Sequence, residues 1–121
     1  MLDFDPTDRN CPARQLLDRI GDQWTVLIVL SLCAGPRRFT QIGEVVSGIS
    51  QKVLSQTLRS LVRDGMLTRT AYAEVPPRVE YALTPLGHSL ADTVSYLDRW
   101  AREHMAEVLA ARAEFDQAKA S

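Results

Sequence analysis

A mainly α-helical fold with one small β-hairpin is what this 121-residue sequence predicts, on three observations. The first is Ser50 to Arg63 (SQKVLSQTLRSLVR), where helical spacing puts Leu54, Leu58, Leu61 and Val62 on one face and Lys52, Ser55, Gln56, Arg59 and Arg63 on another. The second is the stretch beyond that helix. Asp64 and Gly65 end the helix, and LTRTAYA, EVPP and RVEYAL then read as a hairpin. Val79, Tyr81 and Leu83 alternate with Arg78, Glu80 and Ala82 as a half-buried strand requires, while Pro76 and Pro77 exclude regular pairing at the tip. The third is Thr84-Pro85, cap and first residue of a last helix in which Leu86, Leu90, Val94, Leu97 and Ala101 recur every three to four residues. A helix followed directly by a two-stranded wing predicts a winged helix-turn-helix, here with a C-terminal dimerisation helix.

Each element has its own local signal. Pro12 suits a first helical position, so Cys11 caps a short helix running to about Ile20, where Gly21 ends it. Asp22 caps the next, in which Trp24, Val26, Leu27, Ile28, Val29, Leu30 and Leu32 are apolar nearly all round, as in a central core helix. Gly35 and Pro36 stop it. A short helix from about Thr40 to Val46 should bury Phe39, Ile42 and Val45, and Ser47-Gly48-Ile49 turns the chain into the Ser50 helix. The helix-turn-helix thus occupies about 39–64 and the wing about 66–84. Gly43 weakens the first of its helices by roughly 1 kcal/mol against Ala, so that helix depends on packing.

The last helix, about 85–109, is extended by Trp100, His104, Val108 and Leu109, whereas the Ala-rich polar tail from Ala110 is expected to fray. Its apolar row is longer than one small domain can cover. A second copy of the chain is the simplest partner, with Leu86, Leu90, Val94, Leu97, Trp100, Ala101, His104 and Val108 at the interface and the helix at about 12–20 contributing. Packing on the chain's own first helix is the alternative.

Length and a hydrophobic content of 45% suit one compact domain over residues 1–121. The most apolar run, Val26 to Ala34, is about half what a bilayer span needs. MLDFDPTDRN lacks the basic start and apolar stretch of a secretory signal, so a cytoplasmic location is expected, where two cysteines make no disulfide framework.

The formal net charge of −1 on its face disfavours a nucleic-acid partner. Its distribution points the other way. From Arg37 to Glu80 seven basic residues face four acidic ones, a net +3, which leaves −4 for the remainder. A helix whose wet face carries Arg, Lys, Gln and Ser offers donors for phosphates and base edges. Double-stranded DNA is therefore the expected partner, through Arg38, Gln51, Lys52, Ser55, Gln56, Arg59 and Arg63, with Arg78 at the wing. The bland alternative for the helix alone is a solvated face. The rival for the whole chain is a winged helix that makes protein contacts without reading DNA, since a fold does not fix its partner. Its discriminator is the same face, where Lys52, Gln56 and Arg59 replace the apolar centre of a protein interface.

Catalytic readings fail. His88 and His104 are the only histidines, and on one helix they lie about 24 Å apart, too far to share a metal or substrate. No Gly-rich phosphate loop, metal-ligand spacing or nucleophile–base set stands out, so neither enzyme, metal nor cofactor is expected.

With these residues in place, the chain resembles the HxlR-type transcriptional regulators, winged-helix proteins related in architecture to MarR-type repressors. The resemblance spans about Cys11 to Trp100. It is carried by Cys11-Pro12, Trp24, Gly35-Pro36 with Arg38-Phe39, Gly48-Ile49-Ser50-Gln51-Lys52, Leu54, Leu58-Arg59, Leu61 and Asp64-Gly65. Above all it is carried by Glu74-Val75-Pro76-Pro77-Arg78-Val79-Glu80-Tyr81, with Leu83-Thr84 and Leu86-Gly87. It implies cytoplasmic homodimers on pseudo-palindromic operators, some of which answer oxidants or thiol-reactive compounds through a cysteine near the N-terminus. Asp22-Gln23 stands where the family usually has Gly-Lys, which removes any phosphate contact made by that lysine.

Cys11 is the redox-sensing candidate, the alternative being that it merely packs at the helix start. It caps a helix at its positive end with Arg14 one turn on, and both features favour the thiolate. An oxidant or small-molecule effector would act there. Cys33, within the apolar run, reads as a small core residue that burial keeps from reagents.

Overall fold

A computed structural model of the chain describes residues 4–120. Met1, Leu2 and Asp3, which belong to the acidic start of the sequence, and Ser121 lie outside the described residues. The elements run α1 (Pro12–Ile20), α2 (Gln23–Ser31), β1 (Arg37–Arg38), α3 (Phe39–Val45), α4 (Gln51–Arg63), β2 (Leu67–Tyr72), β3 (Arg78–Leu83) and α5 (Pro85–Ala120). This is the mainly α winged helix-turn-helix that the sequence predicts. The sheet is antiparallel in the order β1-β3-β2. Leu67 stands opposite Leu83, Arg69 opposite Tyr81 and Tyr72 opposite Arg78, while Arg37 pairs with Tyr81 from the other side.

Capping fixes the helices. The Asp22 carboxylate accepts from the Trp24 amide at 2.8 Å, and the Ser50 hydroxyl accepts from the Val53 amide at 3.1 Å, each occupying a donor that a helix start leaves free. At the far end of α4, Gly65 takes a left-handed φ of 79°, which lets the Met66 amide reach the Leu61 carbonyl at 2.9 Å. The chain turns there into β2. Ahead of α1, Thr7 donates to Asp5 from both its amide and its hydroxyl, and the hydroxyl bond chiefly holds the Asp5 carboxyl below its ordinary range.

The core is one cluster. Ile28, Val29 and Leu32 meet Ile42 and Val46, the Leu54–Leu58–Leu61 row of α4, Met66 and Leu67, and Ala91 and Val94 of α5. Burying such side chains stabilises the fold by roughly 1.5–3 kcal/mol each. Helices α2 to α5 and the start of β2 thus meet at one centre, with Leu16 and Ile20 of α1 and Tyr81 and Leu83 of β3 packed against it, and α4 is anchored along its apolar row with its polar sides left in water.

Four expectations are corrected. Val45 is exposed and Val46 takes its place in the core, because Phe39, Ile42 and Val46 stand at i, i+3 and i+7 on one helical face. Cys33 is exposed: α2 ends at Ser31, so the following turn carries the thiol away from the buried face, and the sulfur contacts the Val29 carbonyl at 3.5 Å. The tail from Ala110 does not fray but continues α5 to Ala120, as its Ala, Arg, Glu, Gln and Lys content favours. Val94, 1% exposed, belongs to this chain's own core and is not free for a partner, while Leu90 is half-buried against that core. The predicted interface residues Leu86, Leu97, Trp100 and Ala101 are exposed, and His104 and Val108 are half-buried. His104 stacks on Trp100 with ring centroids 4.7 Å apart.

Candidate nucleic-acid interface

The helix-turn-helix presents α4 with its buried row inward and three polar rows outward. Lys52, Gln56 and Arg63 follow one another at helical spacing on the side opposite the leucines, and all are exposed. Ser55, Arg59 and Val62 form a second row, leaning toward the wing. Val53, Thr57 and Ser60 form a third, facing α1 and the start of α2 across a cavity of about 620 Å³. Gln51 opens the helix, exposed.

No carboxylate occurs among the thirteen residues of α4. Among the described residues, none of Lys52, Arg59 and Arg63 is held in an ion pair. Cations left unpaired on an anchored helix project positive potential into solvent. Arg38 is exposed at the N-cap of α3, where its backbone amide donates to Gln41 Oε1 at 2.8 Å.

Arg78 has a different setting from the one its sequence position predicts. Its Nη2 lies 3.1 Å from Glu74 Oε1, its Nε lies 3.7 Å from Glu80 Oε1, and its Cζ sits 4.1 Å above the centre of the Tyr72 ring. With its side chain only 28% exposed, Arg78 fastens the two strands of the wing together just behind the tip. Val75 and Pro76-Pro77 project beyond it, so the tip itself is apolar.

Two residues that sequence reasoning did not assign stand closer to α4. Arg69 follows Leu67 by two along β2 and pairs with Tyr81, so strand alternation puts both on the face that carries Leu67 and Leu83. There Arg69 and Tyr81 close a cavity of about 280 Å³ with Ser55, Arg59 and Val62. The signal was present in the alternation of LTRT, whose arginine lands on the inner face beyond the reach of the core.

Behind the interface, Arg19 of α1 pairs with Asp64 at the end of α4 at 3.0 Å. Cys11, 8% exposed, is the N-cap of α1 but makes no side-chain capping bond. Among the described residues no group of three or more His, Cys, Asp or Glu side chains could hold a metal ion.

Comparison with known proteins gives the context. The HTH-type transcriptional regulator YtfH of Escherichia coli (strain K12) is 43% identical over 104 residues, 86% of this chain and 82% of that protein. The solved structure of the transcriptional regulator ytfH from Salmonella typhimurium superposes with a TM-score of 0.87 at 39% identity, covering 92% of this chain and 99% of that one. The redox regulator HypR in its reduced form superposes with a TM-score of 0.75 at 31% identity, covering 82% and 98%. These relatives are transcriptional regulators, not enzymes. The model of the HxlR-like helix-turn-helix family matches residues 19–108. The chain belongs to the HxlR-like helix-turn-helix family of transcriptional regulators.

Proposed function

We propose that this protein is a sequence-specific DNA-binding regulator that acts as a homodimer on a pseudo-palindromic operator in the cytoplasm. The observation that carries the reading is α4: a helix without a carboxylate of its own, anchored by Leu54, Leu58 and Leu61, whose cations Lys52, Arg59 and Arg63 are held in no ion pair among the described residues. A protein-contact surface needs an apolar centre, and this face has none. Gln51, Lys52, Gln56 and Arg63 lie toward the major groove, Ser55 and Arg59 toward the wing, and Arg38 at the start of α3. Arg78 serves the wing by fixing its shape. Among the described residues no helix is long and apolar enough to cross a membrane.

The test is selection of bound duplexes from a random pool, followed by footprinting of the selected operator at stated salt. Gln56→Ala is expected to lose about 1–3 kcal/mol of discrimination at one base pair, whereas Lys52→Ala weakens all sequences alike. A folded wild-type protein that retains no duplex would refute the reading.

Oxidants and electrophiles are proposed to switch the protein through Cys11. The likeness to the redox regulator HypR supports this, as does the position of Cys11 at the head of α1, whose other end is tied to α4 by Arg19 and Asp64. Cys33 is the more exposed thiol, so both must be tested. After treatment with a quinone or diamide, wild type and Cys33→Ser are expected to release the operator and Cys11→Ser to keep it. Release by Cys11→Ser would return Cys11 to a packing role.

A further inference from the structure

Arg59 and Arg69 approach one cleft from opposite elements, α4 and β2, and among the described residues neither has a carboxylate partner. Base reading alone does not account for that pairing. Ser55, Tyr81 and the apolar Val62 complete the lining, and neither hydroxyl makes a hydrogen bond among the described residues. Two cations and two neutral donors thus surround a space that holds no negative group. Like charges brought together repel, and an anion between them reverses the sign of that interaction. Planar guanidinium groups suit the oxygens of a phosphate, which can accept from two donors at once. At about 280 Å³ the cleft falls below the range of about 300–1,000 Å³ usual for whole small-molecule ligands.

We propose that this cleft seats one phosphodiester of the DNA backbone, held by Arg59 and Arg69 with the hydroxyls of Ser55 and Tyr81. The proposal rests on the DNA-binding reading above and deepens it. Arg59 then sets the register of the protein on the duplex, and sequence is read by its neighbours Gln51 and Gln56. The wing takes part through the root of β2 and β3, where α4 meets the sheet. Tyr81 adds a donor from the strand that β1 and β2 hold on both sides, so the seat is stiff before DNA arrives.

The test uses the full chain and a selected operator duplex. Arg69→Ala is expected to lower affinity about tenfold for operator and scrambled duplex alike, and to reduce the slope of log affinity against log salt by about 1, with base preference unchanged. Tyr81→Phe, which keeps the packing, is expected to give a smaller loss in the same direction. A scan of single neutral methylphosphonates should find one position per half-site that weakens wild type and leaves Arg69→Ala unaffected. Circular dichroism establishes that each variant is folded. The proposal is overturned if Arg69→Ala alters base preference, or if no methylphosphonate couples to it while Gln56→Ala still shifts specificity, a result that spares the DNA-binding reading. Wild type retaining no duplex overturns both. Inorganic phosphate that competes for the cleft, with a flat methylphosphonate scan, assigns it to a free anion and overturns the proposal.

Discussion

Leu97→Glu combined with Trp100→Glu is expected to turn a dimer into monomers and to weaken operator binding by about 10²–10⁴-fold. These side chains are 58% and 57% exposed on α5, beyond Val94, the last residue of that helix buried in the chain's own core. Tyr96, Met105, Leu109 and Phe115 are further exposed apolar side chains of α5, and Leu17 of α1 is exposed as well. Negative charges there would be buried unpaired between two copies, whereas in a monomer they remain in water. A stop at Pro85 is a poorer test, since it would also remove Gly87, Ala91 and Val94 from the fold. Sedimentation at micromolar concentration checks the first part and titration with operator the second. A double variant that stays dimeric, or a monomeric wild type that binds tightly, would sink the α5 interface.

Gly87→Ala is expected to destabilise the protein by about 3 kcal/mol and to lower Tm on the order of 10 °C. A Cβ at position 87 would collide with the carbonyl of Met66 and would press on Leu83 Cδ2 at 3.2 Å. That carbonyl cannot withdraw cheaply. It accepts from the Thr84 amide at 3.0 Å and from the Thr84 hydroxyl at 3.1 Å, and the same hydroxyl caps α5 by accepting from the Gly87 amide at 3.0 Å. Moving it loosens the cap of α5 and the junction with β2 together. Urea denaturation followed by circular dichroism measures the effect, and a loss below about 1 kcal/mol would show that the junction gives way easily.

Much of the fold was legible because local chemistry and burial agreed. Asp22, Ser50 and Gly65 cap or end helices where their side chains and backbone freedom predict, and the alternation of RVEYAL gave β3. Strand β1 was not legible, since two residues, Arg37 and Arg38, carry no period and owe their pairing to β3. Cys33 was misjudged because an apolar run does not say where a helix stops: Ser31 and Leu32 are buried, and one residue later the turn faces water. In the candidate site, the polar residues of α4 were found from their spacing. The rest needed distance information: Arg78, named from the sequence, is captured by Glu74, Glu80 and Tyr72, and Arg69, which was missed, meets Arg59 only because the sheet folds back on α4.

The length of α5 carries a mechanical consequence. Its 36 residues make a rod about 54 Å long, clamped to the body only over its first turns, where Gly87, Ala91 and Val94 are buried. Such a rod is a lever with its fulcrum beside Met66. A tilt of a few degrees at Gly87 sweeps Phe115 through several ångström, and conversely a partner gripping the far end sets the angle of the body with fine gearing. Amino acids near the fulcrum therefore govern geometry far out of proportion to the surface they cover, and small side-chain changes there would retune the spacing of a two-fold assembly without altering a single residue of its contact surface.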